Sequence, residues 1–111
     1  MGGGPDISQS TATIANGAAT SNAIQAGQMV PVALVMPAAF TGATVSFTGT
    51  FDGTNYFPIW SAGALYTETV STSVIVVLTP LMLAGLLCFK IVSASNEGGA
   101  RTITVLSRRG E

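Results

Sequence analysis

From about residue 30 onward, apolar and hydroxyl-bearing side chains alternate with a period of two, the pattern of strands that bury one face and leave the other wet. The stretch 43–60, ATVSFTGTFDGTNYFPIW, is the clearest instance: Val45, Phe47 and Phe51 alternate with Thr44, Ser46, Thr48 and Thr50. The apolar set is assigned to a core and the hydroxyl set to an exposed face. Asp52-Gly53-Thr54-Asn55 supplies a turn, because Gly53 tolerates positive φ and Asp52 can bond nearby backbone. Tyr56, Phe57, Ile59 and Trp60 then return as a second strand, completing a β-hairpin.

The same reading predicts strands over 30–36, 65–71, 73–78, 86–93 and 101–107, with a further short one near 22–25. In 65–71, Tyr66, Glu68 and Val70 oppose Leu65, Thr67 and Thr69, and in the last strand Ile103 and Val105 share a side. Residues 73–78 are continuously apolar enough to predict a strand buried on both faces. About eight strands in this length predict an all-β fold, a two-sheet antiparallel β-sandwich of jelly-roll type, with no helix beyond one or two turns. Residues 1–28 are rich in Gly, Ala, Ser, Thr and Asn and poor in large apolar side chains. They are predicted to form an extended low-complexity N-terminal arm ahead of a sandwich domain at 29–111. Gly2, Gly3, Gly4, Ile7 and Ile14 are its candidate contacts with a neighbouring subunit.

Residues 74–92, VIVVLTPLMLAGLLCFKIV, have the length and apolarity of a membrane span. Against that stand the β-branched first half, Thr79-Pro80 in the middle, Gly85, and the lack of a flanking Lys/Arg cluster. The segment divides better into a strand, a proline-started turn over 80–85 and another strand. No membrane partner is expected. Residues 1–12, MGGGPDISQSTA, have neither a basic nor an apolar signal region, so no secretory signal is expected.

Only 8% of the 111 residues are charged and the net charge is −1, against roughly 25% charged residues in an ordinary soluble protein. The polar surface therefore comes from Thr, Ser, Asn and Gly. Such a surface can be covered by a neighbour without stranding ions, which makes Thr44, Ser46, Thr48 and Thr50 candidate partner contacts. The four basic residues, Lys90, Arg101, Arg108 and Arg109, form no stripe suited to a phosphate backbone, so no nucleic-acid partner is expected.

The absence of histidine removes the commonest general base and metal ligand, and with it any Ser-His-Asp or Cys-His arrangement. The carboxylates are Asp6, Asp52, Glu68, Glu97 and Glu111. Asp52 and Glu68 flank one hairpin region, but a carboxylate-pair hydrolase needs a cleft that so small a domain scarcely encloses. Asp52, Asn55 and Glu97 are oxygen donors of the kind calcium accepts, and turn chemistry explains the first two equally well. Cys88, the single cysteine, reads as a small buried hydrophobe. The expectation is a non-enzymatic protein with no cofactor, no metal and no small-molecule substrate. Tyr56 and Trp60 are aromatics suited either to packing or to stacking on sugar, and are the candidate glycan contacts of an alternative reading.

The run VALVMPAAFTGATVSFTGTFDGTNYFPIW, followed by LTPLMLAGLLCFKIVS and RTITVLS, resembles the small β-sandwich domains of tailed-bacteriophage virion proteins. The features that carry the resemblance are Met36 to Ala39 after an apolar strand, the Asp52-Gly53 turn, and the proline-started Pro80 to Gly85 turn before the penultimate strand. It spans roughly residues 21–106 and lacks the charged residues that often decorate such loops. It implies a capsid decoration or cement protein: a homotrimer seated on the major capsid protein of a phage head, assembled in the host cytoplasm. The alternative it allows is a carbohydrate- or receptor-binding module of a tail, fibre or neck.

Overall fold

The computed structural model describes residues 7–25, 29–78 and 86–109. Eleven strands lie among them: β1 (Ile7–Ile14), β2 (Ile24–Gln25), β3 (Met29–Val35), β4 (Thr44–Thr50), β5 (Phe57–Pro58), β6 (Trp60–Ser61), β7 (Ala64–Leu65), β8 (Thr67–Thr69), β9 (Ile75–Val77), β10 (Cys88–Ser93) and β11 (Arg101–Arg109). Every pairing is antiparallel. One sheet runs β1-β11-β3-β9, and the other runs β2-β10-β4-β5 with β8 also on β4. The short β6-β7 hairpin stands apart from both.

The two sheets share one core, the arrangement of a β-sandwich. Ala12, Ile14, Leu34, Ile103 and Val105 come from the first sheet, and Ile24, Val45, Phe47, Phe89 and Ile91 from the second. Phe47 lies at the centre of the aromatic packing, stacked on Tyr66 at 5.5 Å between centroids and edge-on to Phe89 at 6.3 Å. Met36, Phe40, Val70 and Leu78 close the margins from the connecting segments.

The predicted arm is where sequence and structure part. Residues 1–6 and 26–28 lie outside the described residues, but Ile7–Ile14 is an edge strand in register with β11 from Ile7↔Arg108 to Ile14↔Arg101. Ala12 and Ile14 are completely buried. The inward positions of β1 include Ser10 and Ala12, whose small side chains hide the alternation. Beyond β1 the chain stays on the sandwich: Asn22 Oδ1 accepts from Thr13 N–H at 2.7 Å, and Ser21 Oγ accepts from the buried Ile91 N–H at 3.0 Å.

Three further expectations are corrected. Phe51 is 74% exposed rather than core: β4 ends at Thr50, and Leu86 packs over Gly49, where an added Cβ would lie 2.6 Å from Leu86 Cδ1. The inward side of β4 is thus already filled before Phe51 is reached. The returning strand is interrupted, since only Phe57–Pro58 pairs with β4 before Trp60 turns away to pair with Leu65. The strand predicted as buried on both faces is β9, at a sheet edge, with Ile75 62% and Val77 74% exposed. The predicted 80–85 turn lies outside the described residues, and no described helix is long and apolar enough to cross a membrane.

Candidate interaction surface

Between β4 and β8 the chain makes an excursion, and its root is a turn held by one carboxylate. Asp52 Oδ1 accepts the Thr54 and Asn55 N–H groups at 2.8 and 2.9 Å and the Thr50 hydroxyl at 2.9 Å, while Oδ2 accepts from Asn55 Nδ2 at 3.0 Å. Thr50 Oγ1 in turn accepts from the Asp52 and Gly53 N–H groups. Gly53 takes φ 82°, which a side chain would resist. The backbone donors of Asn55 and Thr54, then the side chains of Asn55 and Thr50, hold the Asp52 carboxyl far below its usual range. Its oxygens are spent on the turn. No group of three or more acidic, His or Cys side chains that could hold a metal occurs among the described residues.

This turn displays aromatic surface. Phe51 stacks on Phe57 with centroids 6.2 Å apart and planes 12° from parallel, and both are exposed together with Leu87. Farther along, Ser61 pairs with Ala64 across Ala62 and Gly63, whose φ values of 55° and 83° match the two-residue hairpin turn that right-twisted strands favour. The hairpin places Trp60 opposite Leu65, and Trp60 is 64% exposed. Singly, exposed apolar residues need no explanation, but this excursion carries Phe51, Phe57, Trp60 and Leu65 within fifteen positions.

The outer face of the second sheet is hydroxyl-lined at its centre. Thr48 lies opposite Lys90 and Ser46 opposite Val92, with Thr44, Ser46 and Thr48 half-buried. Thr50 is buried and belongs to the Asp52 turn rather than to an open face. Tyr56 covers part of this face: Lys90 Nζ sits 4.3 Å above its ring, and burial followed by the neighbouring Cys88 pushes its phenol upward. Cys88 is half-buried. Tyr56 is therefore seated on β10, while Trp60 is carried by the separate β6-β7 hairpin.

Of the candidate arm contacts, Ile14 belongs to the core and is not available to a partner. Ile7 pairs with Arg108 through the backbone. Gly2, Gly3 and Gly4 lie outside the described residues.

Glu97, which the sequence offers as an oxygen donor, is a structural centre of the fold. It is 1% exposed, and it accepts from Thr41 N–H, Gly42 N–H, Ser93 Oγ and Arg101 Nε at 2.9 to 3.2 Å. Burial alone would raise its pKa, but the hydrogen bonds from Thr41, Ser93 and Arg101 outweigh that and hold it below the ordinary value. The i,i+4 spacing to Arg101 was the available signal.

No protein-family model matches the chain, and no curated protein matches its sequence. Among solved structures, it is similar in fold to the SPBc2 prophage-derived protein YomS, with a TM-score of 0.55 and 12% sequence identity. The match covers 91% of this chain and 93% of that one.

Proposed function

We propose that this chain is a non-enzymatic structural protein of a bacteriophage particle, acting through protein contacts. The observation that carries the reading is the aromatic excursion at Phe51, Phe57, Trp60 and Leu65, exposed on a body with very little charge. Such a surface loses apolar hydration when covered and strands few ions. The fold likeness to a prophage-derived protein supports the phage setting.

The strand order supports a jelly roll as the finer description of the sandwich. Setting aside the β5–β7 excursion leaves eight strands, in which first pairs with last (β1·β11), second with seventh (β2·β10), third with sixth (β3·β9) and fourth with fifth (β4·β8). A long antiparallel ribbon folded over on itself has this pairing.

Within the particle, the proposed role is decoration of the head, bridging neighbouring shell subunits. Trp60 is the single tryptophan, so its emission reports on the proposed contact directly. Mixing the protein with shells that lack it is expected to shift Trp60 emission to the blue and to co-sediment the protein in proportion to shell subunits. Failure of the protein to sediment with shells, or a stoichiometry matching the neck or tail, overturns the head assignment. Binding through these neutral contacts is expected to vary little with salt.

A second reading draws on the exposure of Trp60 alone: an indole face open to solvent suits stacking on a sugar ring. Saturable glycan binding that Trp60→Ala abolishes would favour a receptor-binding module.

A further inference from the structure

Among the described residues, the edge of the first sheet at β9 is unpaired and apolar. Leu78 N–H donates to Val32 O at 2.9 Å and Met36 N–H donates to Val74 O at 2.8 Å. These bonds fix the phase of the β3·β9 ladder, in which Ala33, Leu34 and Val35 face Val77, Val76 and Ile75. Since bonding and non-bonding pairs alternate along an antiparallel ladder, the N–H and C=O groups of Ile75 and Val77 point away from β3, toward the free edge.

The side chains of the same two residues continue an apolar surface. In register across the sheet, Leu106 faces Ala33, which faces Val77, and Val35 faces Ile75. The opposite edge of this sheet is different, because β1 presents Ser8, Gln9, Thr11 and Thr13 there. Natural edge strands are commonly protected by a charge, a proline or a bulge. Ile75-Val76-Val77 has no charged residue or proline.

The geometry points to a second copy of this chain as the occupant, bound by antiparallel pairing of β9 with β9 about a two-fold axis at Val76. In that register Ile75 of one copy lies opposite Val77 of the other. The four outward backbone groups of each strand then meet their complements, and the two sheets become one continuous eight-stranded sheet. A two-fold interface brings the same patch together twice, so its suitability depends on whether the patch tolerates itself. This one does: the rows hold Ala33, Val35, Ile75 and Val77 nearest the seam, with Leu106 and Thr104 on the next strand, and bring no like charges together. The three-fold arrangement implied by the phage resemblance does not use this self-complementarity.

A three-residue ladder with its flanking rows is smaller than the roughly 800 Å² per partner of a standard interface, so a weak, concentration-dependent association is expected. The inference does not depend on the phage reading, and each can fail while the other stands.

The test is sedimentation equilibrium of the full chain up to about 1 mM, with amide exchange measured at both ends of the range. A monomer–dimer equilibrium is expected, with the Ile75 and Val77 amides gaining protection as concentration rises. Val77→Lys, at a position exposed enough to keep the fold, is expected to weaken the dimer at least tenfold, and Ile75→Lys to do the same. Phe57→Ser is expected to leave it unchanged. A monomer throughout the range, a trimer, or a dimer indifferent to both lysine substitutions in variants whose spectra show the native fold overturns the proposal.

Discussion

Arg101 Nε donates to Glu97 Oε1 at 3.0 Å, and the Glu97 side chain that accepts it is wholly enclosed. The carboxylate also receives Thr41 and Gly42 from the β3–β4 connection and Ser93 from the end of β10. The backbone of Glu97 reaches a third segment: its N–H donates to Ala18 O and its carbonyl accepts from Gly17 N–H, both at 2.8 Å. One residue therefore ties three connections at the same end of the sandwich. Gly42 is part of the fit, since a Cβ there would lie 2.4 Å from Ser93 Oγ.

Glu97→Ala leaves the Thr41, Gly42, Ser93 and Arg101 donors without their acceptor, and is expected to cost about 2–4 kcal/mol in urea unfolding. A loss below about 1 kcal/mol would mean that water replaces the carboxylate at little cost.

The same site sets an acid limit. The folded-state pKa of Glu97 lies below its ordinary value of 4.5. The stability linked to this ionisation is therefore present above that value and is lost as pH falls through the folded-state pKa. Wild type and Glu97→Gln are expected to differ at neutral pH and to converge in acid. A difference independent of pH would show that packing, not charge, is what Glu97 supplies. Asp52 follows the same sign: its carboxyl is held far below its ordinary value of 3.8, so the loss of melting temperature in Asp52→Ala is expected to be constant above that value and to shrink as pH falls below it.

What the sequence made legible depends on side-chain size. In β4, Val45 and Phe47 alternate with Thr44, Ser46 and Thr48, and the strand, its register and its buried face all follow. In β1 the backbone pairing is longer, but Ser10 and Ala12 on the inward side carry too little hydrophobic signal to distinguish a strand from a linker. The aromatic excursion was legible in composition and not in direction, because alternation cannot tell where a core ends. The role of Glu97 was not legible: its partners at Thr41 and Gly42 are more than fifty positions away, brought there by the sheet pairing.

The Trp60 hairpin carries a local conflict. Ala62 holds φ 55°, a conformation in which a Cβ is unfavourable, and it does so at the first central position of the turn. Ala62→Gly is expected to stabilise the protein by about 0.5–1 kcal/mol, with Trp60 emission unchanged. A destabilised protein would mean that the flexibility gained by the unfolded chain outweighs the relief of strain.

Phe47 and Phe51 lie four residues apart with the same strand parity, and truncating each separates the two roles of this strand. Phe47 is fully buried between Tyr66 and Phe89, and Phe47→Ala is expected to cost about 3–5 kcal/mol. Phe51 lies beyond the strand end, exposed and stacked on Phe57, and Phe51→Ala is expected to change stability by about 0.5 kcal/mol or less. If Phe51 serves the proposed contact, its truncation should instead weaken binding to shells while leaving the urea midpoint in place. Equal losses of stability from the two substitutions would place Phe51 in the core after all, and would remove the aromatic excursion as a surface free to meet a partner.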